Sequence, residues 1–114
     1  MDVEVIVALD YVGRLRRLAI SDSRAMDKIA ETGWESTTLS PKTLALTRLA
    51  ALVAIGASEP SFGDLADAAV GAGATPDEIV DVLIGVKAVV GAPRIVAAAP
   101  KVALALGYDL DGTE

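Results

Sequence analysis

The sequence contains neither cysteine nor histidine, and aromatic residues make up only 4% of its 114 residues. The absence of cysteine excludes disulfide bonds and thiolate nucleophiles. The absence of histidine removes the usual proton shuttle at neutral pH and the commonest metal ligand. We therefore expect no bound metal ion, no cofactor and no thiol-based catalysis.

Positive charge and long apolar runs are also scarce. Sixteen acidic residues against ten basic ones give a net charge of −6, the wrong sign for a dedicated nucleic-acid binder. The longest uncharged stretch, Leu49 to Ser58, is far shorter than the roughly 18 residues that a membrane-spanning helix needs. The first residues, Met1-Asp2-Val3-Glu4, carry acids where a secretory signal has positive charge. We therefore expect a cytoplasmic protein with no nucleic-acid and no membrane partner.

Apolar residues make up 53% of the chain, and their spacing predicts helices throughout. A helical stripe runs from Asp2 to Ala19, and three arginines near its end suit the negative pole of a helix dipole. A short helix is predicted from Ser21 or Asp22 to about Glu31, and residues 32–39 have the composition of a loop.

The remaining boundaries are marked by capping residues. Ser40-Pro41 predicts a helix that ends near Gly56, and the capping box Thr75-Pro76-Asp77-Glu78 predicts one that ends near Gly91. Two more helices are predicted, one from Ser58 to Val70 and one from Pro93 toward Leu106, with Gly107 as its terminator and a kink or break at Pro100.

These elements predict an all-α, compact bundle of about six helices in one domain. Residues 1–39 would form N-terminal helices and a loop, and residues 40–107 the core region.

The segment from Pro76 to Val90 is apolar around nearly its whole circumference. Because a small domain cannot cover such a helix on every side by itself, this predicts a homo-oligomer. Gly85 in the middle of the segment suggests that another backbone approaches there. The alternative is a monomer in which this segment is a fully enclosed core helix.

Four segments between Ser40 and Gly107 together have a recognisable pattern. They are Ser40-Pro41-Lys42-Thr43, Leu49-Ala50-Ala51-Leu52-Val53-Ala54, Ala68-Ala69-Val70-Gly71-Ala72-Gly73-Ala74-Thr75-Pro76-Asp77-Glu78-Ile79, and Val90-Gly91-Ala92-Pro93 with the alanine-rich helix that follows it. In these segments the chain resembles the carboxymuconolactone decarboxylase and alkylhydroperoxidase D-like superfamily. The resemblance implies an all-helical fold, assembly as trimers or hexamers, and small-molecule pockets near the subunit contacts.

The resemblance also locates the positions where such proteins carry their reactive groups. Peroxidase members have Cys-x-x-Cys-x-x-x-His before the Gly-Ala-Thr element, and those positions are Ser58, Ser61 and Leu65 in this chain. An earlier glutamate position falls near Ala45 or Leu46. The decarboxylase branch keeps a histidine where this chain has Leu65. The resemblance therefore implies a member that has lost these groups and is not a thiol peroxidase.

Glu59 is the candidate catalytic residue, because it lies in the segment where the superfamily builds its active site. Half-buried there, it would act as a general acid or base; otherwise it is an ordinary first-turn acid favoured by the helix dipole. Ser58 and Ser61 are better explained as caps than as nucleophiles.

Four further residues are candidates for substrate binding. Arg94 lies in the first turn of a helix, where a cation is disfavoured, so a bound carboxylate or phosphate or an acid of a neighbouring subunit would have to compensate it. Lys87 and Arg48 stand alone among apolar neighbours and would either extend to solvent or hold an anionic ligand. Trp34 would either shield a pocket or pack against the first helix.

Two functional hypotheses follow. In the first, the chain is a small-molecule enzyme or binder with a pocket between subunits, where lyase-like or other acid–base chemistry would act on a small carboxylate or lactone. In the second, it is a non-catalytic oligomeric scaffold or regulatory subunit.

Overall fold

The computed structural model describes residues 11–20 and 38–110, which contain five α-helices and no strand. The all-helical prediction is therefore confirmed for this part of the chain. The helices are α1 (Tyr11–Ile20), α2 (Pro41–Ile55), α3 (Glu59–Gly71), α4 (Pro76–Val90) and α5 (Ala92–Ala105). None of these five helices is long and apolar enough to cross a membrane.

The chain divides into two units, Met1–Thr37 and Thr38–Glu114. In the first unit, α1 ends one residue later than the sequence predicts, and Arg17 lies in its last turn. The start of that predicted helix, the short helix predicted at 21–31 and most of the predicted loop lie outside the described residues. The single-domain organisation stays a prediction.

The second unit is a four-helix bundle. Helices α2 and α5 each pack against both α3 and α4. All eleven buried side chains among the described residues are apolar, and five of them are alanine. Small side chains let helix axes approach closely, while Phe62 fills the largest single volume in the core. The core consists of Ala45, Leu49, Val53, Phe62, Ala69, Ala74, Ile79, Leu83, Ala98 and Val102.

The helix ends follow the capping signals of the sequence. Ser40 accepts a hydrogen bond from the Thr43 amide at 3.1 Å, which starts α2 at Pro41. At the start of α4, the Glu78 amide donates to Thr75 Oγ1 at 3.1 Å, and the Thr75 amide donates to Glu78 Oε1 at 2.9 Å. The predicted capping box is thus present in both directions.

The last helix departs from the prediction in two ways. It begins at Ala92, so Pro93 lies in its first turn, where the missing amide hydrogen costs nothing. It also runs unbroken through Pro100, so of the predicted kink or break the break is absent, and the kink stays a prediction. Packing of Ala98 and Val102 in the core on either side of the proline holds both parts of α5 against the bundle.

Helix α4 is not enclosed by the bundle. Ile79 and Leu83 are buried, whereas Val80, Ile84 and Val89 are 46%, 66% and 86% exposed. Among the described residues α4 is therefore not covered on every side, and the choice between a homo-oligomer and a monomer stays a prediction. No atom of the described chain outside the helix lies within 4 Å of a Cβ built at Gly85, so the chain itself does not make the predicted close backbone approach.

Glu78 also joins α4 to α2. Its carboxylate accepts a hydrogen bond from Lys42 Nζ at 3.1 Å, and the two side chains are 39% exposed. The hydrogen bond from the Thr75 amide, followed by the one from Lys42, lowers the pKa of Glu78 below its usual value of 4.5. One carboxylate therefore caps α4 and links the first turns of two helices.

We expect Glu78→Gln to lower stability at neutral pH and to weaken its acid dependence. Because the folded pKa is lowered, the stabilisation is fully present above about pH 4.5 and is lost as the pH falls through the folded value. Urea unfolding at neutral pH and at about pH 3 measures this. The gap between wild type and Glu78→Gln should narrow in acid, whereas Thr75→Ala should cost about 1 kcal/mol at both pH values. A gap for Glu78→Gln that is the same at both pH values would contradict the assignment.

Candidate functional site

The turn between α2 and α3 lies directly before Ser58, in the segment where the sequence analysis looks for an active site. Gly56 adopts a left-handed conformation with φ 71°. Its amide donates to the Val53 carbonyl at 3.3 Å, and the Ala57 amide donates to the Leu52 carbonyl at 3.1 Å. These two bonds form a Schellman motif, which ends α2 and gives the turn a defined backbone geometry.

Arg94 packs onto this turn from the first turn of α5. A Cβ built on Gly56 would overlap Nη1 of Arg94, and the Arg94 Cζ would be 3.4 Å from it. The side chain is nevertheless exposed, and no carboxylate of the described residues pairs with it. The guanidinium thus rests on the bare backbone of Gly56 and keeps part of its surface in solvent.

This position explains how the chain tolerates a cation at the start of a helix. The carboxyl end of α2 carries the negative pole of its dipole, and the Arg94 guanidinium lies beside it. Sequence analysis considered a bound anion or a partner's acid as compensation for Arg94. The end of a neighbouring helix in the same chain is a third source of compensation, and only the packing of α5 reveals it.

Lys101 is a second cation on the same turn. Its ammonium group donates to the Ala57 carbonyl at 3.0 Å, and the side chain is half-buried. Lys101 follows Arg94 by seven residues, or two helical turns, so both side chains leave α5 on the same side. Sequence analysis missed Lys101; the seven-residue spacing of the two cations is the signal that could have identified it.

The residues at the superfamily's reactive positions do not form a catalytic group. Ser58 is the N-cap residue of α3, but its hydroxyl makes no capping bond and lies 3.4 Å from that of Ser61. Ser61 lies within the first turn, so its interpretation as a cap is wrong. Leu65 is half-buried and packs against the core. Among the described residues, these two hydroxyls hydrogen-bond to each other and to no basic group.

Glu59 is exposed in the first turn of α3. The half-buried environment that an acid–base role requires is therefore absent in the isolated chain, and its position matches the dipole interpretation. At the superfamily's earlier glutamate position, Ala45 is buried and Leu46 packs against the core. Neither position supplies a titratable group to the turn.

The other candidate residues are not gathered at this turn. Arg48 and Lys87 are exposed on α2 and α4. Arg48 precedes Gly56 by eight residues, which is about 12 Å along the helix axis. Trp34 lies outside the described residues. Within residues 11–20 and 38–110, no group of three or more acidic side chains is placed to hold a metal ion.

Comparison with known proteins decides the family. A model of the carboxymuconolactone decarboxylase family matches residues 23–103, which is most of the chain. The chain belongs to the carboxymuconolactone decarboxylase family. The resemblance inferred from the four sequence segments is thereby confirmed, and this family member has no cysteine. No curated protein and no solved structure matches the chain.

We expect Lys101→Met to destabilise the protein by about 1 kcal/mol, because it removes the donor to the Ala57 carbonyl and keeps most of the side-chain volume. Arg48→Met is the control, since Arg48 is an exposed cation on α2, and it should change stability by less than about 0.5 kcal/mol. Urea unfolding of both variants at one protein concentration provides the comparison. Equal losses of stability in the two variants would mean that the hydrogen bond from Lys101 to the Ala57 carbonyl does not stabilise the fold.

Proposed function

We propose that this protein binds a small anionic molecule, a carboxylate by preference, at the turn between α2 and α3. The observation that carries the proposal is that the guanidinium of Arg94 lies on Gly56. Ser58 and Ser61, whose hydroxyls lie next to each other, follow Gly56 in the chain. An arginine offers a planar fork of donors that matches a carboxylate, and hydroxyls can supply further hydrogen bonds.

Arg94 is better suited to this role than the other cations of the turn and of α2. The ammonium of Lys101 is already used by the Ala57 carbonyl, whereas the Arg94 guanidinium is exposed and has no carboxylate partner among the described residues. Arg48 is about 12 Å away along α2. A ligand at the turn would therefore meet one available cationic group.

The chemistry proposed for this site is binding, without a thiol step. The sequence has no cysteine or histidine, and among the described residues the Ser58 and Ser61 hydroxyls hydrogen-bond to each other and to no basic group. An acid–base role for Glu59 stays a prediction, because it would require a second copy of the chain to cover this exposed carboxylate. The cytoplasmic location also stays a prediction.

Self-association is the second part of the proposal. Val80 and Ile84 lie one turn apart on α4, and both are exposed in the isolated chain. Contact with water disfavours such a surface by about 25 cal/mol for each Å² of apolar area, and burial against another copy removes that cost. We infer a trimer or hexamer from the family resemblance, in which a neighbouring copy would close a pocket over the turn.

A second candidate function is a non-catalytic scaffold or regulatory subunit. The observation that favours it is Leu65, which fills the superfamily's histidine position with a side chain packed on the core. In that case the exposed face of α4 would be used for assembly, and the turn would bind no ligand.

The first test is binding of benzoate, measured by calorimetry, with neutral benzamide as the ligand control. We expect Arg94→Ala to weaken benzoate binding roughly tenfold or more, because it removes a charged donor pair. Arg48→Ala removes the same charge from a distant position on α2 and should change the affinity by less than about twofold. Equal loss in both variants would indicate nonspecific charge attraction. No binding of benzoate to the wild type would favour the scaffold function.

The second test concerns the assembly. We expect wild-type protein to sediment as an oligomer and Ile84→Glu to sediment as a smaller species, because burying an unpaired carboxylate in an apolar contact is costly. Ala68→Glu places the same charge at an exposed position of α3 and serves as the matched control. A wild-type protein that is monomeric at micromolar concentration would contradict this part of the proposal.

A further inference from the structure

Four described glycines have positive φ angles, and Gly56 differs from the other three. A Cβ at Gly73 or Gly107 would meet nothing within 4 Å, and one at Gly91 would make an ordinary contact with Pro93. Only at Gly56 would a Cβ overlap another group of the described chain, and that group is the guanidinium of Arg94. Glycine at this position therefore serves two purposes: it relieves the left-handed backbone, and it leaves room for Arg94.

We infer that Gly56 is the positioning residue for Arg94, and that its bare backbone holds the guanidinium ready to receive the anion. This inference deepens the proposed function and rests on it. It assigns a role in binding to a residue that has no side chain and contributes nothing to the charge of the site.

The surface on which Arg94 rests is held from several directions. The Schellman bonds hold Gly56 and Ala57 to the last turn of α2, and Lys101 holds the Ala57 carbonyl from α5. Arg94 also belongs to α5, so this helix contacts the turn through two side chains, Arg94 and Lys101. A guanidinium placed on a rigid support loses less side-chain freedom when it binds an anion, which strengthens the complex.

The alternative is that glycine is required at 56 only for its backbone conformation. In that case any positive-φ glycine should respond to alanine in the same way. Gly73, with φ 101° and open space around it, is the control, because Gly73→Ala introduces positive-φ strain without displacing a side chain.

A double-mutant cycle in the full-length chain tests the coupling without any ligand. Because Nη1 is the far end of a flexible and exposed side chain, a Cβ at position 56 displaces the guanidinium at little steric cost. In the wild-type background Gly56→Ala should therefore lower the urea midpoint by a small extra amount, which comes from the lost contact of Arg94 with the end of α2. In the Arg94→Ala background, the extra loss at 56 should disappear, because that contact is then already absent. An extra loss of the same size in both backgrounds, or no extra loss in either, overturns the inference.

Benzoate binding then tests the role in recognition. Gly56→Ala should weaken binding roughly tenfold, as Arg94→Ala does, while Gly73→Ala should stay within about twofold of wild type. Wild-type affinity in Gly56→Ala would overturn the positioning role even if the cycle shows coupling. If the wild type binds no benzoate, the proposed function fails, and the urea cycle still decides whether Gly56 holds Arg94.

Discussion

The arrangement of the bundle depends on how α2 is held at its two ends. Its core contacts are made by the apolar side chains of Ala45, Leu49 and Val53, and the hydrophobic effect that favours their burial is itself non-directional. Polar contacts outside the core add directional links at both ends of the helix. At the first turn of α2, Lys42 reaches Glu78 of α4, and beyond its last turn Lys101 reaches the Ala57 carbonyl from α5. These contacts join the amino end of α2 to α4 and the turn after its carboxyl end to α5.

The contacts at the two ends of α2 differ in which charged groups they leave exposed to a ligand. At the amino end, the Glu78 carboxylate accepts hydrogen bonds from the backbone amide of the N-cap residue Thr75 and from the Lys42 ammonium. At the carboxyl end, Lys101 is also used, but Arg94 lies on a glycine and keeps an exposed guanidinium. The charged groups at the amino end of α2 thus pair with each other, whereas the carboxyl end keeps the exposed guanidinium of Arg94. The carboxyl end lies where the superfamily places its reactive residues.

The member's loss of cysteine and histidine fits this division of roles. A catalytic serine needs a base close to its hydroxyl, and the positions that could supply one are occupied by an apolar side chain at Leu65 and an exposed acid at Glu59. What remains at the turn is hydrogen bonding and two cations, of which Lys101 already donates to the Ala57 carbonyl. These groups suit recognition of an anion, and the exposed face of α4 suits assembly.

Local signals in the sequence determined the family, the helical class and most helix ends. Ser40 with Pro41, and Thr75 with Glu78, act through bonds between residues three apart, so a reader of the sequence can identify them. The partners of Lys42 and Lys101 lie 36 and 44 residues away, and no spacing rule connects them. The apolar pattern of α4 likewise could not say which side faces the core, because its side chains are apolar on nearly every side. Only the packing of the bundle decided which of them are buried and that Arg94 lies on Gly56, since both depend on distances between helices that are remote in the chain.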